Sequence, residues 1–290
     1  MTLQEWLERA GKEGWALPHF NISDAITLRA ICMAAKNLKS PIMIGTSEGE
    51  RKFIGAGQAV ALVRAFQEEY GIPIFLNADH HKSAEAAKEA IDAGYDSVHI
   101  DLSRENNKKN FAGTKEVVEY AKAKNPDISV EGELGYLPTE SSKIYKEVVE
   151  VDQESLTKPE EAAEFVKKTG VDRFAPAVGN LHGIAANEPK LDFQRIEAIR
   201  SALPDDVALV LHGGSGISDE DIKKAIQAGI NNIHINTELR VVYRKALEEF
   251  FKQNPDETTP YKFLKAPLEA MQRKAEEKLR LFGAVRKIEN

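Results

Sequence analysis

The chain has 290 residues, 42% hydrophobic and 29% charged, with a formal net charge of −7. This is the balance of a soluble globular protein with room for a sizeable core, and its acidity gives no reason to expect nucleic acid or an anionic membrane surface as a partner. The lone Cys32 excludes an intrachain disulfide, MTLQEWLERAGKEG lacks the apolar stretch of a secretion signal, and no run reaches membrane-span length, so the cytoplasm is the expected setting.

Strand and helix patterns alternate along the chain. A short amphipathic helix opens it, WALPHFNIS reads as a first strand and DAITLRAICMAAKNL as its helix. PIMIGTS is a second strand, followed by a Gly-containing loop and the helix AGQAVALVRAFQEEY. IPIFLNADH, SVHIDLS and ISVEGELGY are the next strands, and the longest irregular segment, PTESSKIYKEVVEVDQESLTK, follows the fifth. RFAPAVGN, ALVLHGG and NIHINTELR complete a count of eight. Eight such units predict a (β/α)8 TIM barrel formed by residues 1–290 as one domain, with 260–282 as a C-terminal helical extension that caps the barrel or makes an oligomer contact. A doubly wound open sheet is the rival. It is disfavoured because no GxGxxG follows the first strand and polar groups gather at nearly every strand end instead of at one switch point.

In a barrel, those strand ends and the loops after them form the active face. They carry Asn21, Ser47, Asp79, His80, His81, Asp101, Glu131, Glu133, Asn180, His182, His212, Ser215, His234, Asn236, Thr237 and Arg240. Three of the seven histidines stand near the ends of strands 3, 6 and 7, and three imidazoles with an open position make a catalytic zinc site. Strand parity leaves the strand-3 ligand open between His80 and His81, because adjacent residues point to opposite faces unless the chain bends. In VALVLHGGSGISDEDIKKAI the glycines permit close backbone approach, and Ser218 and Asp219 start a helix whose free N–H groups make a phosphate cradle.

Taken together the motifs resemble those of class II, metal-dependent fructose-bisphosphate aldolases and the related tagatose-bisphosphate aldolases. HFNIS, IMIGTSEGERKFIG, LNADHHKS, SVHIDLS, VEGELG, AVGNLHG, VLHGGSGI, INTELR and KFLKAPLEAMQRKAEEKLRLFG follow the family's segments in order over nearly the whole chain. The resemblance implies Asp79 as catalytic acid/base and His80, His182 and His212 as ligands of one Zn²⁺. It implies that Asp101 and Glu133 hold a second or displaced divalent ion; a monovalent cation is a further expected companion. It also implies a cradle for the phosphate of dihydroxyacetone phosphate from Gly183, Gly213, Gly214 and Ser215, completed by His234, Asn236 and Thr237. Asn21 and Ser47 join the substrate contacts, and Arg240 is expected to meet the distal phosphate. The expected partner is a sugar bisphosphate, with the chain assembled as a homodimer or homotetramer.

The chemistry agrees with this resemblance. Breaking the C3–C4 bond of a ketose bisphosphate leaves negative charge at C3, conjugated with the C2 carbonyl, and requires either a Lewis acid or a lysine Schiff base. No predicted strand contains lysine, Lys82 coming nearest, so metal is favoured. A carboxylate beside a ligand, Asp79, is placed to take the C4 hydroxyl proton.

Several positions depart from the family pattern. His81 replaces a glycine and puts an ionisable group at the expected pocket lip, while His234 replaces a substrate-contacting asparagine. The segment YLPTESSKIYK replaces a glycine-rich acidic loop, leaving Glu140 as its one candidate proton donor. These departures admit two alternatives, a tagatose-1,6-bisphosphate aldolase and a catalytically impaired sugar-phosphate-binding homologue. NADHH is also superficially similar to the DHH phosphoesterases, whose further aspartates are not evident here.

Overall fold

In a computed structural model of the chain, residues 1–135, 143–149 and 151–288 are described. All eight apolar runs become strands: β1 Leu17–Asn21, β2 Ile42–Ser47, β3 Ile74–His81, β4 Ser97–Ile100, β5 Ser129–Leu134, β6 Arg173–Pro176, β7 Ala208–Leu211 and β8 Asn232–Ile235. They pair in parallel in sequence order and β1 closes on β8, so the sheet is a complete barrel with no free edge. Parallel neighbours cannot be joined by a tight hairpin, and the helices supply the crossovers. In order these are α1 Leu3–Glu13, α2 Ala25–Leu38, α3 Glu48–Ile54, α4 Ala56–Tyr70, α5 Ala84–Ala93, α6 Asn107–Lys124, α7 Pro159–Thr169, α8 Phe193–Ala202, α9 Asp219–Gln227, α10 Thr237–Gln253, α11 Pro260–Phe263 and α12 Lys265–Leu281.

One connection corrects the sequence reading. Where a Gly-containing loop is expected after β2, the chain turns straight into α3. SEGE is a capping box: the Ser47 hydroxyl accepts from the Glu50 backbone N–H, and the Glu50 carboxylate accepts from the Ser47 N–H at 2.8 Å. This pulls Glu50, 6% exposed, in against the barrel mouth.

The C-terminal helices join the outer wall. Met271, Ala275 and Leu279 of α12 are buried where the helix packs against α2 and α10. Lys278 is buried too, and its ammonium pairs with Glu238 on α10 at 2.8 Å.

The barrel floor is polar. Arg173, wholly buried on β6, donates from Nε to Ser129 and from Nη2 to Asn77 and Ser97 at 2.9 Å, while Nη1 reaches Asn232 and pairs with Glu131 at 2.6 Å. Its five partners come from four other strands, so one guanidinium ties β3, β4, β5, β6 and β8 together. A buried charge is tolerable only with such pairing.

Candidate active site

The parity problem at Asp79-His80 is resolved by a bend. The β3–β4 register shifts between Ala78 and His81, and His80 takes a left-handed conformation with φ 51°. A bulge adds one residue to the strand and re-aims the side chains beyond it. Asp79 and His80 therefore both face the mouth. His81 is turned into the wall, 0% exposed, with Nδ1 beside the His99 carbonyl at 3.1 Å. The lip position expected for His81 from the family's glycine is thus wrong, because the bulge turns this side chain into the wall.

A cavity at the C-terminal mouth is lined by Asn21, Asp79, His80, His182, Gly183, His212, Gly213, Ser215, His234, Asn236 and Thr237. Every one of these is among the residues singled out from the sequence. The His80 ring lies 4.9 Å from that of His182 and 4.6 Å from that of His212. The second nitrogen of each ring has a role. His80 Nδ1 donates to Asp101 at 3.1 Å, leaving Nε2 as the lone-pair nitrogen, and His212 Nε2 donates to Glu131 at 2.6 Å, leaving Nδ1. His182 Nε2 is buried without a hydrogen-bond partner. An orphaned imidazole nitrogen beside two fixed ones fits a borderline metal ion.

Electrostatics favour the same use for two of the three rings. Burial, with His80 next in effect, pushes His182 down to about 3, and burial also takes His212 to about 3, so both rings are neutral at pH 7, the form that binds metal. His80 is raised, because Asp79 and Asp101 outweigh burial. Burial pushes Asp79 up, but the fields of His80, His234 and His99 more than offset it and hold the carboxyl well below its ordinary range. Asn21 donates to Asp79 Oδ2 at 3.0 Å, whereas Asp79 Oδ1 is buried and unpartnered.

The glycine cradle forms beside this cluster. Gly213 has φ +67°, and a Cβ there would stand 1.9 Å from the Leu181 carbonyl, so no other residue fits. Gly214 lies behind the cavity, its N–H donating to the His234 carbonyl at 3.2 Å. The helix start that opens on the cavity is that of α10, not α9 as the sequence suggested. The first turn of α9 is capped by Ser218, whose own N–H is taken by Glu188, and it carries Asp219, Glu220 and Asp221, a poor setting for phosphate. By contrast α10 begins at Asn236 and Thr237, where Asn236 itself makes no cap hydrogen bond and its side-chain oxygen is buried and unpartnered, while the Glu238 N–H donates to Ser215 Oγ at 3.2 Å.

Four anticipated residues stand just outside the cavity. Ser47 caps α3. Asp101 orients His80, and Glu133 lies 3.3 Å from His99 and 3.9 Å from His80. Arg240 pairs with Glu50 at 2.5 Å in an adjoining hollow that also includes Asn21 and Tyr243. Glu140 lies outside the described residues.

The structure adds partners that sequence reading did not assign. His99, 0% exposed, sits 4.4 Å from His80 and 4.8 Å from His212 between ring centroids. His19 stacks on His234 at 3.6 Å and 8°. Burial, with His212 next, takes His234 down to about 4, so a neutral ring is the form present at pH 7. His99 stands two residues before Asp101 on β4, and that spacing was the signal for a shared face.

A family model for "Fructose-bisphosphate aldolase class-II" matches residues 1–287. The chain belongs to the class II fructose-bisphosphate aldolase family. Membership makes it an aldolase, a carbon–carbon lyase of a generally metal-dependent group. Among relatives, the fructose-bisphosphate aldolase of Geobacillus stearothermophilus is 37% identical over 288 residues, covering 98% of this chain and 97% of the relative. The crystal structure of the YdjI aldolase from Escherichia coli K12 superposes with a TM-score of 0.85 at 33% identity, over 99% of this chain and 98% of the other. Fructose-bisphosphate aldolase from Campylobacter jejuni shares the fold at TM-score 0.80 and 22% identity, over 98% of this chain and 95% of that one. Among the described residues no helix is long and apolar enough to cross a membrane, and no lysine lies in any strand of the barrel.

Proposed function

We propose that this aldolase cleaves fructose 1,6-bisphosphate reversibly to dihydroxyacetone phosphate and glyceraldehyde 3-phosphate, with Zn²⁺ held by His80, His182 and His212. The observation that carries this reading is the convergence of those three rings on a mouth cavity beside Asp79, with His182 Nε2 and Asp79 Oδ1 both buried and unpartnered. A bound divalent ion supplies a Lewis acid for the charge that develops across C2 and C3.

The chain's own groups account for the rest. Asp79 Oδ1 takes the C4 hydroxyl proton as the C3–C4 bond breaks, the electron pair stays on C3, and the C4 oxygen becomes the aldehyde. Asn21 fixes the carboxylate through Oδ2, so the free oxygen is the reacting one. Gly183, Gly213, Ser215 and the α10 start bind the proximal phosphate, where backbone N–H groups approach an anion closely. Arg240 is shared between Glu50 and the distal phosphate. The reading includes a cytoplasmic site of action, consistent with a lone, buried, free Cys32. It includes a homodimer or homotetramer, consistent with Phe53 on α3 and Tyr261 on α11 being 80% and 78% exposed.

The test is triose phosphate release from fructose 1,6-bisphosphate, and in parallel from tagatose 1,6-bisphosphate, before and after chelation. Loss on chelation and restoration by Zn²⁺ is the expected result. Full activity in the demetallated protein contradicts the proposal, and a preference for the tagatose epimer reassigns the substrate.

A further inference from the structure

The start of α10 faces the phosphate cradle with a charge of the wrong sign. Asp219, Glu220 and Asp221 make the first turn of α9 a poor setting for an anion, yet the first turn of α10 has a carboxylate of its own, Glu238. This side chain is not turned away from the cradle. Its Oε1 accepts from the Gly216 N–H at 3.1 Å, and its backbone N–H donates to Ser215 Oγ at 3.2 Å. The two bonds run in opposite directions, so they clasp the glycine loop after β7 to α10 and hold Ser215 at the cavity wall. A negative charge is thereby fixed next to Ser215 and Thr237, both of which line the cavity. An anion entering there is repelled unless that charge is balanced.

The balancing group comes from the C-terminal helix. Lys278 of α12, 3% exposed, places its ammonium 2.8 Å from Glu238 Oε2, the oxygen that does not hold Gly216. Among the described residues no other carboxylate lies within 4.0 Å of it. Lys274 is a poor substitute, because it stands 4.0 Å from the same oxygen and is already paired with Glu277 at 2.8 Å. Position 278 falls at helical spacing from Met271 and Ala275, on the buried face of α12. An apolar side chain would pack there without the desolvation that a buried ammonium costs, so packing alone does not account for the lysine.

We propose that Lys278 is a positioning residue for the proximal phosphate, acting through Glu238: it cancels the charge of a carboxylate that the cradle needs for its geometry. The proposal rests on the reading of Gly183, Gly213, Ser215 and the α10 start as the phosphate site and deepens it. Lys278 lines no part of the cavity and meets no substrate. Glu238 Oε1 holds the Gly216 N–H, and Lys278 neutralises the charge that comes with that oxygen. A carboxamide at 238 retains an acceptor for Gly216 and carries no charge, so geometry and charge are separable by substitution.

Calorimetric titration with dihydroxyacetone phosphate in protein supplied with Zn²⁺, together with steady-state cleavage of fructose 1,6-bisphosphate, tests this. The proteins are the parent, Lys278→Arg, Lys278→Met and the double variant Glu238→Gln with Lys278→Met, each checked for folding by its melting curve. Lys278→Met should weaken dihydroxyacetone phosphate binding about tenfold and raise KM for the bisphosphate by a similar factor, with kcat within about twofold of the parent. Lys278→Arg keeps the charge, and the double variant removes both charges, so each should bind within about threefold of the parent. A double variant that binds no better than Lys278→Met overturns the proposal and leaves the aldolase reading standing. So does a Lys278→Met protein with a lowered melting temperature and unchanged affinity. Should Lys278→Met fail to fold, Glu238→Gln alone decides. With its ammonium unpaired behind the cradle, that variant should bind dihydroxyacetone phosphate at least as tightly as the parent, and binding about tenfold weaker overturns the proposal. A parent that does not bind dihydroxyacetone phosphate overturns the phosphate reading itself, and the proposal with it.

Discussion

The floor and the mouth of the barrel are both buried and polar, yet they are built to opposite ends. At the floor Arg173 meets Ser129, Asn77, Ser97, Asn232 and Glu131, so a fully desolvated guanidinium has a partner on each side. One layer higher, the nitrogens of His99, Nε2 of His182 and Oδ1 of Asp79 have none. Burial is similar in the two layers, so polarity alone does not mark the site. What separates a structural polar core from a functional one is unmet hydrogen-bonding capacity, whose desolvation is uncompensated until a ligand arrives. Glu131 belongs to both layers, with one oxygen against Arg173 and the other against His212. The floor thereby holds His212 of the mouth in position.

This contrast can be broken from above. Asp79→Asn should leave the fold and the dihydroxyacetone phosphate affinity nearly intact while lowering turnover by about 10²–10⁴. Unchanged turnover would reduce Asp79 to a partner that orients histidine. Breaking it from below should act on stability instead. Arg173→Met removes the charge that balances Glu131 and ought to destabilise the protein by about 3–5 kcal/mol, read as a lowered urea midpoint. An unchanged midpoint would mean the floor network is dispensable.

Arg240 sharpens the boundary between site and surround. Arg240→Ala should raise KM for the bisphosphate by about tenfold, a loss of roughly 1.4 kcal/mol, while affinity for dihydroxyacetone phosphate changes little. Equal losses for both ligands would make the Glu50 pair purely structural.

The smallest effect concerns acid stability. Burial, followed by the field of Arg51, pushes His81 from 6.5 down to about 3. The folded protein therefore binds that proton less readily than the unfolded chain. The stability tied to the neutral ring is present above pH 6.5 and is lost as pH falls towards 3. In metal-free protein His81→Gln should flatten the decline of the melting temperature between those limits. Parallel profiles for variant and parent would refute the assignment.

The sequence by itself determined the eight strands, their order and the residues at their ends, because apolar runs, caps and turn residues act over a few positions of chain. It also supplied all eleven residues lining the mouth cavity, since a barrel gathers strand ends at one rim. Only the tertiary structure decided how those ends are aimed. The bulge that turns His80 outward and His81 into the wall depends on how β3 registers against β4. The choice of α10 over α9 as the helix facing the cavity depends on where the chain leaves each strand. Arg173 meets Asn77 across 96 residues of chain, Glu50 meets Arg240 across 190, and His99 faces Glu131 on the neighbouring strand, all beyond the reach of any local pattern. SEGE did contain the capping signal for α3, but what Glu50 touches once the helix forms is fixed by closure of β8 onto β1, which brings Arg240 across the mouth.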